Sequence, residues 1–87
     1  DIAQCLVGSE MCIRDSPKAH ISNTNALNEE NSAVVAHIFA TIPKIAQKMD
    51  LSNGYRVVNN CGPDGGQTVF HLHFHILGGK KLNTTMA

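Results

Sequence analysis

The chain predicts an α+β domain, an antiparallel sheet with one main helix packed across it. Three observations carry that expectation. Apolar residues recur three or four apart from Val34 to Met49, the stripe of an amphipathic helix. Two runs rich in strand-forming residues follow, Tyr55-Arg56-Val57-Val58-Asn59 and Val69-Phe70-His71-Leu72-His73-Phe74-His75-Ile76-Leu77. Between them lies Cys61-Gly62-Pro63-Asp64-Gly65-Gly66, a turn-rich connection that makes an antiparallel pair the simplest arrangement. With 87 residues there is room for one small domain, of a size often stabilised by association or a bound group.

Taken in order, residues 1–16 show no clear period. They end at Pro17, which pushes Ser16 toward an extended conformation. Cys5-Leu6-Val7 has the composition of an ordinary strand followed by a loop. The longer run Cys5-Leu6-Val7-Gly8-Ser9-Glu10-Met11-Cys12-Ile13-Arg14-Asp15-Ser16, however, resembles the translation of a sequencing adapter. The expectation is therefore that 1–16 is a leader foreign to the domain, replacing a longer natural N-terminal part, and that Cys5 and Cys12 carry no functional information. Pro17-Lys18-Ala19-His20-Ile21 reads as a strand end or entry loop. Asn23, Thr24, Asn25 and Asn28 supply helix N-caps, and Glu29 and Glu30 suit the positive end of a helix that begins there. Val34, Val35, Ile38, Phe39, Ile42, Ile45, Ala46 and Met49 form the stripe, with Lys44 and Lys48 near its negative end. Pro43 is expected to kink or locally break the helix, and Asn53-Gly54 to stop it. Gly78-Gly79 closes the last strand, and 83–87 is a polar tail.

Bulk properties exclude several classes of function. Seven basic residues balance seven acidic ones, so nothing points to nucleic acid or an anionic membrane. No apolar run approaches the roughly 20 residues of a membrane span, and the first residues have neither the basic start nor the apolar core of a signal peptide. Three cysteines without metal-ligand spacing argue against a disulfide framework. A reducing, cytoplasmic setting is the default.

The chemistry is concentrated in His71, His73 and His75. In a strand, alternate residues share a face, so three imidazoles would stand together while Leu72, Phe74 and Ile76 fill a core behind them. A helix would scatter them. Two chemistries fit this face. Neutral imidazoles can ligate zinc; alternatively one imidazole acts as nucleophile while its neighbours handle protons and phosphate charge. Gly65 and Gly66 allow a nest of backbone N–H groups around an anion. Asn60, Gln67 and Thr68 add uncharged hydrogen-bonding groups that suit phosphate better than a metal, although a plain hairpin would also want the glycines. His37 reads as a surface residue of the helix and Cys61 as a small loop residue. Lys18 reads as a solvated lysine, Asp64 as a support for its own turn, and Phe39 and Met49 as core.

The pattern His-x-His-x-His-x-x with apolar x, here His71-Leu72-His73-Phe74-His75-Ile76-Leu77, resembles the signature of the histidine triad (HIT) superfamily. The flanks Gly54-Tyr55-Arg56-Val57-Val58-Asn59-Asn60, Asp64-Gly65-Gly66-Gln67-Thr68-Val69-Phe70 and Leu77-Gly78-Gly79 are similar to its histidine triad nucleotide-binding (Hint) branch. So is Pro17-Lys18-Ala19-His20-Ile21. The resemblance covers 17–82 and implies the C-terminal part of a HIT domain. It implies that His73 attacks the α-phosphate and carries a nucleotidyl intermediate, and that His71 orients it while a nearby backbone carbonyl holds its other nitrogen as N–H. His75 would contact phosphate and the departing group. Asn60, Gly66, Gln67 and Thr68 would bind substrate or phosphate, and His20 would stand behind them.

The implied reaction is hydrolysis of nucleoside phosphoramidates or adenylated amines to a nucleoside monophosphate. It needs no cofactor or metal, its ligand is a purine nucleotide resembling AMP, and the assembly is a homodimer. In that branch the acidic residue for the ribose and the apolar residues around the base lie upstream of the Pro-Lys-x-His segment, where 1–16 has nothing similar. The tail also lacks a Trp-Pro-rich ending. The alternative expectation is thus a non-catalytic nucleotide- or zinc-binding fragment.

Overall fold

The structure, a computed structural model, describes residues 2–5 and 11–79. Its elements are β1 (Ile2–Cys5), β2 (Met11–Asp15), a single 3-10 turn (Thr24–Ala26), α1 (Ala33–Lys48), β3 (Tyr55–Val58) and β4 (Phe74–Gly78). The four strands form one antiparallel sheet in the order β1-β2-β4-β3. The α+β class is as the sequence predicts, and so is the antiparallel pairing of β3 with β4. The polar tail expected at 83–87 lies outside the described residues.

Alternation sets the two faces of the sheet. Phe74 and Ile76 of β4 are buried while His75 and Leu77 between them are half-buried. Register then assigns β2, since directly opposed residues of an antiparallel pair share a face. Ile13 lies opposite Ile76 and turns to the core, as does Asp15 opposite Phe74; Arg14 lies opposite His75 and turns the other way. The core gathers Ile13, Ile21, Leu51, Leu72, Phe74 and Ile76 under Ile38, Ile42, Ile45 and Ala46 of α1. Burying each of the three helix isoleucines contributes about 1.5–3 kcal/mol. They are interior to this chain, with Val34 only partly buried at the cluster's margin.

Residues 11–15, expected to be foreign to the domain, sit in the sheet between β1 and β4. Cys12 is disulfide-bonded and lies opposite Cys5 in the β1–β2 register; with Cys61 free, this is short of the disulfide framework that the sequence argues against. The helix departs from expectation at three points. It starts at Ala33 after Ser32, because Asn28 and Asn31 spend the preceding residues on a turn of their own. The Asn28 side chain accepts from the N–H of Glu30 (2.9 Å) and Asn31 (3.0 Å), and that of Asn31 accepts from the N–H of Asn28 (2.8 Å). Such local bonds compete with helix. Glu29 and Glu30 therefore precede the helix rather than fill its first turn.

Pro43 does not end the helix, which runs on to Lys48. It is exposed, and the carbonyl it leaves unserved belongs to Phe39, also exposed, where solvent can reach it. The stop lies at Asp50, in the left-handed region (φ 56°), ahead of Asn53-Gly54. The N–H of Leu51 donates to the Ala46 carbonyl (2.9 Å) and that of Asp50 to Gln47 (3.3 Å), a Schellman ending with Leu51 buried against the last turn. Phe39, expected in the core, is 48% exposed and stands edge-on to Phe74 at 5.5 Å.

Candidate active site

The histidine run is extended but enters the ladder late, because β4 begins only at Phe74. Before that, a bend over 69–71 is fixed by the His71 N–H donating to the Val69 carbonyl (2.9 Å). Two anchors then hold the run against the Pro17 segment. The Leu72 N–H donates to the Ile21 carbonyl, and His71 Nε2 lies 2.9 Å from the Pro17 carbonyl oxygen. Leu72, Phe74 and Ile76 are buried behind, and His73 and His75 stand together on the other side, while His71 lies in the bend before them.

Hydrogen-bond chemistry fixes two tautomers. A carbonyl oxygen can only accept, so His71 donates through Nε2–H. For the same reason His73 donates through Nδ1–H to the carbonyl of His71, 2.6 Å away. The Nε2 of His73 is left with its lone pair. It makes no hydrogen bond among the described residues and is not among buried atoms lacking a partner, so it reaches the surface although the residue is only 8% exposed. The His75 ring stands perpendicular to that of His73 at 5.0 Å, and Cys12 Sγ is 3.6 Å from His75 Nδ1. Burial holds the His75 pKa below the usual histidine value, helped by neighbouring His73 and by Arg14 across the β2–β4 pair. His20 is exposed, its ring 5.9 Å from that of His71.

The loop before the histidines corrects the expected anion cradle. The N–H groups of Gly65, Gly66 and Gln67 are already spent within the turn, on Gly62 (3.2 Å), Pro63 (3.1 Å) and Gly62 (3.0 Å) respectively. Gly66 serves by its positive φ of 82°, and Gly65 by close approach, since a Cβ there would lie 2.4 Å from the Cys61 carbonyl oxygen. The Gln67 side chain is buried and equally committed. Its amide donates to the carbonyls of Ser22 (2.7 Å) and Val69 (3.0 Å), and its oxygen accepts from the Gly62 N–H (2.9 Å). Gln67 is thus a brace for the loop, with no group left over for phosphate. Unspent donors begin one residue later, at the N–H groups of Thr68, Val69 and Phe70; the side chains of Thr68 and Asn60 likewise make no hydrogen bond among the described residues.

Sequence reasoning missed Asn59. Its amide donates to the His73 carbonyl (2.8 Å), and its oxygen accepts from the Thr24 hydroxyl. The zinc reading finds no geometry to support it. His71 turns its Nε2 toward Pro17, His73 turns its Nδ1 to a carbonyl, and no cluster of three metal-ligating side chains occurs among the described residues. Two clefts open elsewhere, of about 350 and 570 Å³, and neither is lined by the three histidines.

Comparison with known proteins agrees with this geometry. The HIT domain family matches residues 8–82. The chain belongs to the HIT family. Among relatives, an uncharacterized HIT-like protein of Synechococcus elongatus is 47% identical over 66 residues, covering 76% of this chain and 58% of that protein. One from Buchnera aphidicola is 41% identical over 69 residues, covering 78% and 60%. The chain thus spans about three fifths of the length of these HIT-like relatives. The fold is similar to a HIT family hydrolase from Clostridium thermocellum, with TM-score 0.88 and 35% identity over 93% of this chain and 71% of that one. It is likewise similar to a histidine triad protein from Clostridium difficile, with TM-score 0.81 and 34% identity over 98% and 85%.

Proposed function

We propose that the chain is the histidine-bearing part of a nucleotide-binding hydrolase that cleaves nucleoside phosphoramidates or adenylated amines to a nucleoside monophosphate. The observation that carries this is the single lone pair of His73 Nε2, open at the surface while Nδ1–H is held by the His71 carbonyl. Support comes from HIT-family membership and from a similar structure described as a hydrolase.

In the first step Nε2 attacks phosphorus. A P–N bond to His73 forms as the P–N bond to the amine breaks, and the amine departs with a proton taken from solvent, which the attacking water of the second step gives back. The ring gains positive charge, and the His71 carbonyl, facing Nδ1–H, stabilises it there. Water then attacks phosphorus, the bond to His73 breaks, and the nucleoside monophosphate leaves with His73 neutral again. Thr68 and Asn60, with unspent hydrogen-bonding groups, hold the phosphoryl oxygens in line. His75, kept neutral by burial, flanks the phosphate and donates or accepts there without adding charge. A purine nucleotide is the ligand, and a homodimer that extends the sheet at β3, the end strand among the described residues, is the assembly.

Replacing His73 by Ala should abolish release of AMP from adenosine 5′-phosphoramidate while leaving the thermal unfolding transition in place. Hydrolysis at the parent rate would overturn the assignment. A second reading, binding without turnover, is favoured by the absence of His71, His73 and His75 from the lining of either cleft. It is separated from the first by a calorimetric AMP titration that saturates in a chain showing no hydrolysis.

A further inference from the structure

The backbone ladder between β3 and β4 stops at the histidine site. Val58 lies opposite His75 in the last registered pair, and continuing that register would set Asn59 opposite Phe74 and Asn60 opposite His73. The pairing ends there, and the chain leaves toward the turn at 62–66. The His73 carbonyl, which more ladder would have covered, receives the side-chain amide of Asn59 at 2.8 Å. The oxygen of the same carboxamide accepts from the hydroxyl of Thr24, in the 3-10 turn. The His73 carbonyl fixes which end of the amide faces it, because only the NH₂ end can donate to a carbonyl, and the Thr24 hydroxyl donates to the oxygen that remains.

We infer that Asn59 is a positioning residue: its carboxamide, braced by Thr24, stands in for the missing ladder and fixes the His73 backbone where the two strands part, so that Nε2 is held in place at the surface. The inference rests on the reading of His73 as nucleophile. Leu72 and Phe74 are buried on either side of His73, the ring is tethered through Nδ1, and the Asn59 bond fixes the peptide between His73 and Phe74. Because a side chain does this work, the backbone beyond β3 is free to diverge. Asn60 then keeps a carboxamide with no hydrogen bond among the described residues, available to a phosphoryl group. A ladder running on to Asn60 would close that opening.

Three variants test this: Asn59→Ala, the isosteric Asn59→Asp, which cannot donate to a carbonyl when ionised, and Thr24→Val, which removes only the hydroxyl. The readouts are the imidazole ¹⁵N resonances and titration of His73, and steady-state hydrolysis of adenosine 5′-phosphoramidate. In Asn59→Ala and Asn59→Asp the His73 resonances should move. Hydrolysis should lose about tenfold or more in kcat with KM within about twofold, the mark of lost alignment rather than lost binding. Thr24→Val should move the same resonances by less, and it decides the matter if the Asn59 variants do not fold. Folded Asn59→Ala protein with unchanged His73 resonances and kcat would overturn the inference. If the parent shows no hydrolysis, the resonances alone decide, so failure of the enzymatic reading is told apart from failure of this one.

Discussion

Two side chains of β2 illustrate how one residue's direction decides its chemistry. Asp15 falls on the core face opposite Phe74, is 5% exposed, and has its carboxyl pKa pushed up by burial. A carboxyl whose pKa rises on folding binds its proton more tightly in the native state. Its stabilisation is therefore complete below the ordinary carboxylate range and is lost as pH rises through the raised value. Replacing Asp15 by Val should stabilise the fold at neutral pH by about 1–3 kcal/mol, because burial of the carboxylate outweighs its bond to the Ser16 backbone and the nearby His37. Urea unfolding at several pH values should show the difference vanish in acid; a constant difference would contradict the burial argument. Arg14, on the other face, lies opposite His75 and helps hold its pKa down. Arg14→Gln should raise the His75 midpoint in an NMR titration. That His73 and His75 stand together was legible from their spacing alone. That Asn59 serves the nucleophile's carbonyl was not, because the contact depends on the residue at which two strands part.

Among the elements, the loop at 62–69 shows how a motif can be recognised while its wiring is misjudged. Glycines beside a histidine strand suggest backbone donors aimed at an anion, yet the turn uses those donors to hold itself together. Composition cannot reveal this, since a tight turn and an anion nest call for the same residues. Gln67 is the element's keystone, buried and satisfied at three backbone groups. Gln67→Leu should cost about 2–4 kcal/mol, because it strips hydrogen bonds from backbone groups shielded from water. Hydrogen exchange should localise the loosening to 62–69; a variant as stable as the parent would show the brace to be dispensable. The helix teaches a similar lesson. Its apolar stripe was readable, whereas its start depended on Asn28 and Asn31 bonding each other, and its passage through Pro43 on which side of the helix that residue faces.

At the scale of the whole molecule, the α+β class and the antiparallel pairing of β3 with β4 followed from periodicity and turn chemistry. The position of β2 did not. Residues 11–15 show no pattern that declares a central strand, and their place between β1 and β4 comes from register with a partner more than 60 residues away. Among the described strands β3 stands at one end of the sheet order, a position that can template a second chain. If the homodimer forms there, sedimentation velocity should give the mass of two chains at micromolar concentration, and a single-chain mass would exclude that assembly. The central claim is that His73 Nε2 becomes covalently joined to phosphorus. The most direct measurement is rapid quenching of the chain with adenosine 5′-phosphoramidate, followed by intact-mass and peptide mass spectrometry under conditions that spare acid-labile P–N bonds. One AMP moiety attached to the peptide carrying His73, and none in His73→Ala, is the predicted result; AMP release with no adduct on His73 would contradict it.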